Sequence, residues 1–173
     1  MNRRSLLARA GCVGVASLSG CLETVDSFLK GNPEVDRRDP STAPHPQSMF
    51  QSEELDGNAT ASMAVEFGRG LNHWVLLTTA STCPLETQVT VRRQGADPFY
   101  KETVSLSQAE YVAFAFGRPS TYVVGLSVAG ETASVEVPED FVDCNDSSQL
   151  VVVRSDGTVD TASVTTQVKC GPL

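Results

Sequence analysis

Apolar and polar positions alternate with a period of two through the central and C-terminal parts of the chain. Valine, threonine and aromatic residues fill these runs, and such side chains favour β-strands because they pack well on a pleated surface. Clusters containing glycine, proline and aspartate separate the runs and indicate turns. The predicted strands lie at residues 61–67, 74–79, 87–93, 99–106, 111–116, 121–128, 133–137, 150–154 and 159–168.

This spacing predicts the fold class of residues 60–173. Short strands that recur about every 8–12 residues, with no helical period among them, indicate an all-β protein. We therefore predict an immunoglobulin-like antiparallel β-sandwich of about seven to nine strands. Trp74 is expected to be the largest core side chain. The other inward positions predicted from the alternation are Val89, Val91, Val112, Phe114, Phe116, Tyr122, Val124, Leu126 and Val128.

Residues 21–59 have a different composition. Residues 33–46 contain four prolines and three acidic residues, and large apolar side chains are few there. Such a sequence cannot bury enough apolar surface to offset the entropy lost on ordering. We expect a disordered, acidic, Pro/Thr-rich tether that holds the domain away from its point of attachment.

The first 20 residues have the pattern of an export signal. Arg3 and Arg4 precede a mildly apolar stretch that runs to Gly20, which is the order of a basic region and an apolar region in a signal peptide. The stretch is too short and too rich in small residues for a membrane-spanning helix. Adjacent arginines favour twin-arginine export, and an ordinary secretory signal is the alternative.

Leu18-Ser19-Gly20-Cys21 matches a lipobox, in which the cysteine thiol takes a diacylglyceryl thioether. We predict lipidation at Cys21 after removal of residues 1–20. The acyl chains would hold the protein at the membrane, because each buried CH₂ contributes about 0.8 kcal/mol. The expected location is the extracellular face of the cell membrane, with the membrane itself as one partner.

The net charge of the chain is negative, and this limits the kinds of molecule that the protein is expected to bind. Three of the 13 basic residues and none of the 21 acidic residues precede Cys21. The chain beyond the predicted cleavage site is therefore more acidic than the formal net charge of −8 for the whole chain indicates. Such a surface repels nucleic acid. Few lysines beside many aspartates also favour a high-salt habitat, although solubility alone explains an acidic surface.

Three cysteines follow the lipobox, and outside the cell a pair of them can form a disulfide. Asp156-Gly157 predicts a hairpin. A three-residue loop at 156–158 would place Ser155 opposite Val159, and by the same register Cys144 nearly opposite Cys170. We predict a Cys144–Cys170 disulfide and a free Cys83, whose role is open. Pairing of Cys83 with either of the other two remains the alternative.

The chain offers little site chemistry. His45 and His73 are its two histidines, their spacing to cysteines fits neither zinc nor blue copper, and no Gly-x-Ser-x-Gly elbow occurs. We predict no enzymatic activity and no cofactor, with His73 as the one candidate base. The acidic loop at 139–146 is a calcium site or a solvated turn. Two sequons predict possible glycosylation at Asn58 and Asn145.

The arginine pair, the lipobox, the acidic stalk and the Val/Thr-rich strands together resemble haloarchaeal lipoproteins that carry an immunoglobulin-like domain. Asp143-Cys144-Asn145 and the closing Gln167-Val168-Lys169-Cys170 add to this resemblance. It implies a cell-surface location and a fold, and it carries no catalytic residue. The expected function is a non-enzymatic surface module that binds a protein or glycan or supports an assembly. The alternatives are a small-ligand or metal-binding accessory of a transport system, and a hydrolase.

Overall fold

The computed structural model describes residues 33–46, 50, 57–66, 73–108, 110–143 and 145–166. The predicted export signal at Arg3 and Arg4, the predicted lipidation site Cys21, and both cysteines of the predicted disulfide, Cys144 and Cys170, lie outside these residues. All of the described residues belong to one compact unit, Pro33–Leu173.

In the described part of the chain, ten strands form two packed sheets, and the predicted β-sandwich is confirmed. The strands are β1 (Val35–Arg38), β2 (Asn58–Val65), β3 (His73–Thr79), β4 (Leu85–Arg93), β5 (Tyr100–Leu106), β6 (Glu110–Phe116), β7 (Tyr122–Val128), β8 (Glu131–Val137), β9 (Ser147–Val153) and β10 (Val159–Thr165). The six-stranded sheet has the order β1-β2-β6-β3-β9-β10, and the four-stranded sheet has the order β5-β4-β7-β8. Short 3-10 turns lie at Pro40–Thr42 and Glu139–Phe141.

The four-stranded sheet is antiparallel throughout, as predicted, whereas the six-stranded sheet is mixed. Strand β2 runs parallel to β6, and β3 runs parallel to β9. Both pairs join strands that are distant in sequence, so no tight turn imposes an antiparallel direction. Sequence alternation reports which face a residue occupies, and it carries no information about the direction of a distant neighbour.

The core lies between the sheets and contains the side chains that the alternation predicts. Phe114, Phe116, Tyr122 and Val124 are fully buried, and the rings of Phe116 and Tyr122 lie 4.8 Å apart. Burial of each large apolar side chain contributes about 1.5–3 kcal/mol. The predicted inward faces of β4, β6 and β7 are therefore confirmed.

Trp74 is an exception, because it lies on the outer face of the six-stranded sheet. The inward positions of β3 are His73, Val75 and Leu77, so Trp74 points the other way. There it packs in a second apolar cluster. The prediction that Trp74 lies in the core between the sheets is wrong. A large apolar residue indicates that its face of the sheet is covered, but it does not indicate which of the two faces that is. The fully or largely buried members of this second cluster are Leu76, Tyr111, Ala113 and Leu150.

The folded part begins earlier than the predicted boundary at residue 60. Strand β1 pairs antiparallel with β2, and after it the chain packs Ala43 and Phe50 against the outer cluster. The Tyr111 hydroxyl donates to the carbonyl oxygen of Pro44 at 3.0 Å. Part of the predicted tether is therefore folded: β1 belongs to the six-stranded sheet, and Ala43 and Phe50 cover the outer cluster. Backbone pairing stabilises β1 although its polar sequence has little apolar surface of its own.

The hairpin between β9 and β10 corrects the predicted register. Val159 pairs with Val153, the Arg154 N–H donates to Thr158 O at 2.9 Å, and the Gly157 N–H donates to Arg154 O at 3.0 Å. The three-residue loop is thus 155–157, with Gly157 at φ +80° in its last position, as in a type I turn followed by a left-handed residue. The register used to pair Cys144 with Cys170 is wrong by two residues. The disulfide stays a prediction, which peptide mapping without reductant tests.

Candidate functional site

His73, the one candidate base of the sequence, is completely buried at the start of β3. Its Nδ1 lies 2.7 Å from Ser147 Oγ, and its Nε2 lies 3.2 Å from Gln149 Oε1. The Ser147 hydroxyl donates to the carbonyl oxygen of Phe141 at 2.7 Å, and the Gln149 amide donates to Glu136 O at 3.1 Å. Each partner of the imidazole is therefore itself held by backbone.

This arrangement differs from a catalytic triad in two respects. Among the described residues no carboxylate contacts either imidazole nitrogen, and a triad needs one to orient the base. Burial also lowers the pKa of His73 to about 4, although the hydrogen bond with Gln149 opposes that effect. We interpret His73 as a structural residue that closes one end of the sandwich beneath the Phe141 ring, 5.4 Å away.

A buried ionic cluster, centred on Glu66, connects the two sheets. Arg93 binds both carboxylate oxygens of Glu66, and Arg118 approaches to 3.6 Å. The Tyr122 hydroxyl lies 2.8 Å from Glu66 Oε2 and 3.0 Å from the carbonyl oxygen of Arg118. The second contact, from a tyrosine near the start of a strand to backbone upstream, has the form of a tyrosine corner. Sequence alternation did not reveal this cluster.

Glu66 also has a strained backbone, with φ +46°. A residue with a Cβ adopts this conformation only where its surroundings hold it. Its N–H donates to the carbonyl oxygen of Glu34 at 2.9 Å, and its side chain is only 3% exposed. Because every oxygen of the carboxylate has a partner, the cluster is suited to fastening the sheets together rather than to binding a ligand.

Within the described part of the chain, a site that is open to a ligand lies at one edge of the sandwich, between β5 and the pair β1–β2. It is a cleft of about 190 Å³, which we call the edge cleft. Thr103 and Ser105 border it as well, so the cleft extends along the edge of β5. Its floor consists of apolar side chains that continue the core, namely Ala61, Met63, Val104 and Val112.

Charged and hydroxyl groups form the rim of the edge cleft. Arg37 and Glu102 form an ion pair that bridges the two sheets. Their side chains are 72% and 36% exposed, so the pair is hydrated and weak. The Tyr100 hydroxyl donates to Glu102 Oε2 at 2.8 Å. Burial, together with this hydrogen bond to Glu102, raises the pKa of Tyr100 well above its usual range.

The strand registers explain why two charged residues lie at an otherwise apolar surface. Arg37 is the cross-strand partner of Met63, and Glu102 is the partner of Val89. Paired residues share a face of the sheet, and both partners are core residues. Arg37 and Glu102 therefore point inward from edge strands, which is one way in which proteins discourage uncontrolled edge pairing.

A β-bulge shapes the floor of the edge cleft. The register of β2 against β6 shifts between Ala59 and Ala61, which leaves Thr60 without a cross-strand partner residue in β6. As a result Ala59 packs in the outer cluster, whereas Ala61 packs against the core. Two alanines that simple alternation would place on one face are thus on opposite faces. Bulges occur often at sheet edges and near functional sites.

Sequence reasoning did not identify the edge cleft, although the sequence contains a signal for it. Tyr100, Glu102 and Val104 occupy alternate positions of one strand, so a carboxylate interrupts an apolar face. Val35 and Arg37 repeat the pattern in β1. A charge at an inward position is the feature to look for. The contact between Arg37 and Glu102 depends on how the two sheets are stacked, and a single sequence does not show that stacking.

The structure places several predicted site residues in separate locations. Cys83 is exposed and forms no disulfide with any described residue. Asn58 is exposed at the start of β2. Asn145 is half-buried, and its amide donates to Asp143 Oδ2 at 2.6 Å, so that one carboxylate of the acidic loop at 139–146 is occupied by its own loop.

Two other kinds of feature are absent from the described residues. These residues contain no group of three or more histidine, cysteine or acidic side chains that could hold a metal ion. They also contain no helix with the length and apolar character that crossing a membrane requires.

No protein-family model matches the sequence, and no curated protein is significantly similar to it.

Proposed function

We propose that this protein is a lipid-anchored, non-enzymatic binding module of the extracellular face of the cell membrane, and that the edge cleft is its ligand site. One observation carries the binding role: the cleft joins an apolar floor to a rim that offers both charges and a hydroxyl group. Pockets with an apolar interior and a few placed polar groups are typical of recognition sites. The anchor rests on the lipobox at Cys21 and the export pattern at Arg3 and Arg4.

The size of the edge cleft favours one kind of ligand over another. Drug-sized ligands need about 300–1,000 Å³, whereas the cleft has about 190 Å³. This space suits a single apolar side chain better than a whole metabolite. It therefore favours a macromolecular partner over the small ligand of a transport system. No described carboxylate contacts the His73 imidazole, so its setting gives a hydrolase no support.

Binding at the cleft is tested by NMR titration of the full chain with N-acetyl-leucine methylamide. We expect shifts concentrated at Ala61, Val104 and Val112, and we expect Ala61→Leu to abolish them by filling the space. Ala162→Leu is the matched control, because Ala162 is exposed on β10 at the opposite edge of the same sheet. Shifts that persist in Ala61→Leu, or that cluster elsewhere, would contradict the assignment.

The anchor is tested separately by Cys21→Ala, which removes the thiol that the lipid needs. We expect this variant to leave the membrane fraction, and its mass to lack the acyl group. Replacement of Arg3 and Arg4 by lysine keeps the charge but loses the guanidinium geometry, so twin-arginine export should stop. Unchanged membrane partition of Cys21→Ala would contradict the anchor, and normal export of the double variant would contradict the route.

A further inference from the structure

Strand β5 presents an edge to which another strand can be added. It forms one end of the four-stranded sheet and, among the described strands, pairs only with β4. Among the described residues, none forms a backbone hydrogen bond with its other side, and an extended peptide can pair with such an edge. Lys101, Thr103 and Ser105 are exposed, so no described residue covers the outer face of the strand.

The edge cleft lies where the side chains of an added strand would point. Glu102 and Val104 face inward from β5, and the cleft lies beside them. In an added strand alternate side chains would also point inward. One of them would enter the cleft against Ala61 and Val112, and the residue two positions away would come near Glu102. Backbone pairing would thus supply affinity, and the cleft would select the side chain.

The charges on the rim of the cleft determine which charge the second inward side chain of the added strand should carry. Glu102 is held by Arg37 from β1 and by the hydroxyl of Tyr100. Because the ion pair with Arg37 is exposed, it is weak enough for another cation to replace it. The acidic surface of the protein also attracts cations. An incoming lysine or arginine would therefore take the place of Arg37, while Tyr100 keeps its hydrogen bond.

We propose that the edge cleft accepts an extended, cationic polypeptide segment that adds to β5 as a fifth strand. The segment places an apolar side chain in the cleft and, two residues away, a basic side chain on Glu102. The Arg37–Glu102 pair is then a latch that closes the edge while no partner is bound. This inference rests on the proposed function and specifies the partner for it.

The probe is the fluorescein-labelled peptide Thr-Val-Thr-Leu-Thr-Lys-Thr, titrated with the full chain and followed by fluorescence anisotropy. Replacing its leucine with serine, or its lysine with glutamate, should weaken binding at least about tenfold, equivalent to about 1.4 kcal/mol. Two further peptides test the backbone pairing: one is N-methylated at its odd-numbered residues, and the other at its even-numbered residues. Only one of them should lose binding, because only alternate N–H groups of an added strand face β5.

Variants of the latch should have opposite effects, which a purely structural role would not produce. Glu102→Gln removes the charge that receives the lysine, so we expect binding about tenfold weaker. Arg37→Ala frees Glu102, so we expect binding several-fold tighter. Glu136→Gln is the control, because Glu136 is exposed on β8 at the opposite edge of the same sheet, and it should bind like the unmodified chain.

The outcomes separate this proposal from the proposed function. Equal binding of both N-methylated peptides, or weaker binding by both latch variants, overturns strand addition. N-acetyl-leucine methylamide shifting the cleft resonances while no peptide binds also overturns it and leaves the proposed function standing. If neither probe affects the cleft, both are refuted.

Discussion

Glu66 lies buried between Arg93, Arg118 and the hydroxyl of Tyr122, on a backbone with positive φ. A glutamine at this position would keep the shape and lose the charge, which leaves Arg93, itself only 13% exposed, without its anion. Loss of one partner from a buried pair costs about 3–5 kcal/mol. We expect Glu66→Gln to lower the free energy of unfolding by about 3 kcal/mol, measured by urea denaturation.

The control for this prediction is an ion pair of the same kind at the surface. Arg154 and Asp160 also form a salt bridge, with side chains 51% and 59% exposed. Asp160→Asn should change the free energy of unfolding by no more than about 1 kcal/mol. Equal effects of the two variants would show that burial of Glu66 contributes nothing.

His73 predicts a dependence of stability on pH. Burial lowers its pKa to about 4 in the folded chain, whereas the unfolded chain has the ordinary value of about 6.5. Between these values the unfolded state binds a proton that the folded state does not. The free energy of unfolding should therefore fall as the pH drops from about 6.5 to about 4, by at most about 3 kcal/mol, and His73 should contribute no change above this range.

Carboxylates also change protonation between about pH 4 and 6.5. Histidine variants are therefore needed to separate the contribution of His73 to the pH dependence of stability. Urea midpoints over this pH range should change less in His73→Gln than in the unmodified chain. His45 is exposed, and His45→Gln is the matched control for replacing a histidine. Parallel curves for the unmodified chain and His73→Gln would rule out the buried imidazole as the source.

The alternation of single residues predicted much of the core and little of its polar chemistry. Phe114, Tyr122 and Val124 have the inward positions that the pattern assigned to them. Glu66 and Glu102 were not identified, since their partners Arg93 and Arg37 each belong to the other sheet. A period of two determines the face of a residue, but contacts between sheets depend on stacking that the period does not encode.

At the scale of elements, the β9–β10 hairpin packs closely against the β7–β8 hairpin at Gly157. A Cβ added there would lie 2.4 Å from the Cβ of Glu131 and 3.6 Å from the carbonyl oxygen of Val128. Gly157→Ala must therefore push the hairpins apart as well as strain a left-handed residue. We expect a loss of about 3 kcal/mol in the free energy of unfolding, as for overpacking combined with backbone strain.

Gly95 provides the matched control, because it has nearly the same backbone and open space around it. Its φ is +76°, and a Cβ there would meet nothing within 4 Å. Gly95→Ala should cost only the left-handed strain of about 1 kcal/mol. The difference between the two variants measures the contact between the hairpins, and equal losses would mean that the contact is easily relieved.

The same hairpin shows the limit of turn signals in the sequence. Asp156-Gly157 correctly indicated a three-residue loop, but the loop begins one residue earlier than expected. Gly157 takes the last loop position because that position needs a positive φ, and the Asp156 carboxylate accepts from the Thr158 N–H at 3.0 Å. A shift of one residue in the loop moves the register by two, which was enough to remove the geometric basis for the predicted disulfide.

At the scale of the whole molecule, the nine predicted strands and the β-sandwich class followed from local pattern, whereas the tenth strand and the boundary of the domain did not. The predicted strands are present, since turn residues and branched side chains act locally. Strand β1 was missed because Val-Asp-Arg-Arg has little strand character of its own. It is stabilised by pairing with β2, and its Arg37 completes the edge cleft, so the least predictable strand belongs to the candidate site.

The surplus of negative charge predicts a dependence of stability on salt for the molecule as a whole. Beyond Cys21 the chain has ten basic and 21 acidic residues, so 11 negative charges remain in excess even if every basic residue is paired. Exposed carboxylates repel one another over about 10 Å at 0.1 M salt and about 30 Å at 0.01 M. We expect the melting temperature to fall steadily between molar and millimolar salt.

A variant with fewer exposed carboxylates shows whether this repulsion is the cause. Glu86, Asp97 and Glu136 are exposed in three different parts of the four-stranded sheet and its loops. Their joint replacement by the corresponding amides should reduce the slope of melting temperature against salt and raise the melting temperature most at low salt. Since anion-specific salt effects act on both proteins alike, the difference between them reports the repulsion. A melting temperature that is as high in millimolar as in molar salt would contradict the electrostatic argument.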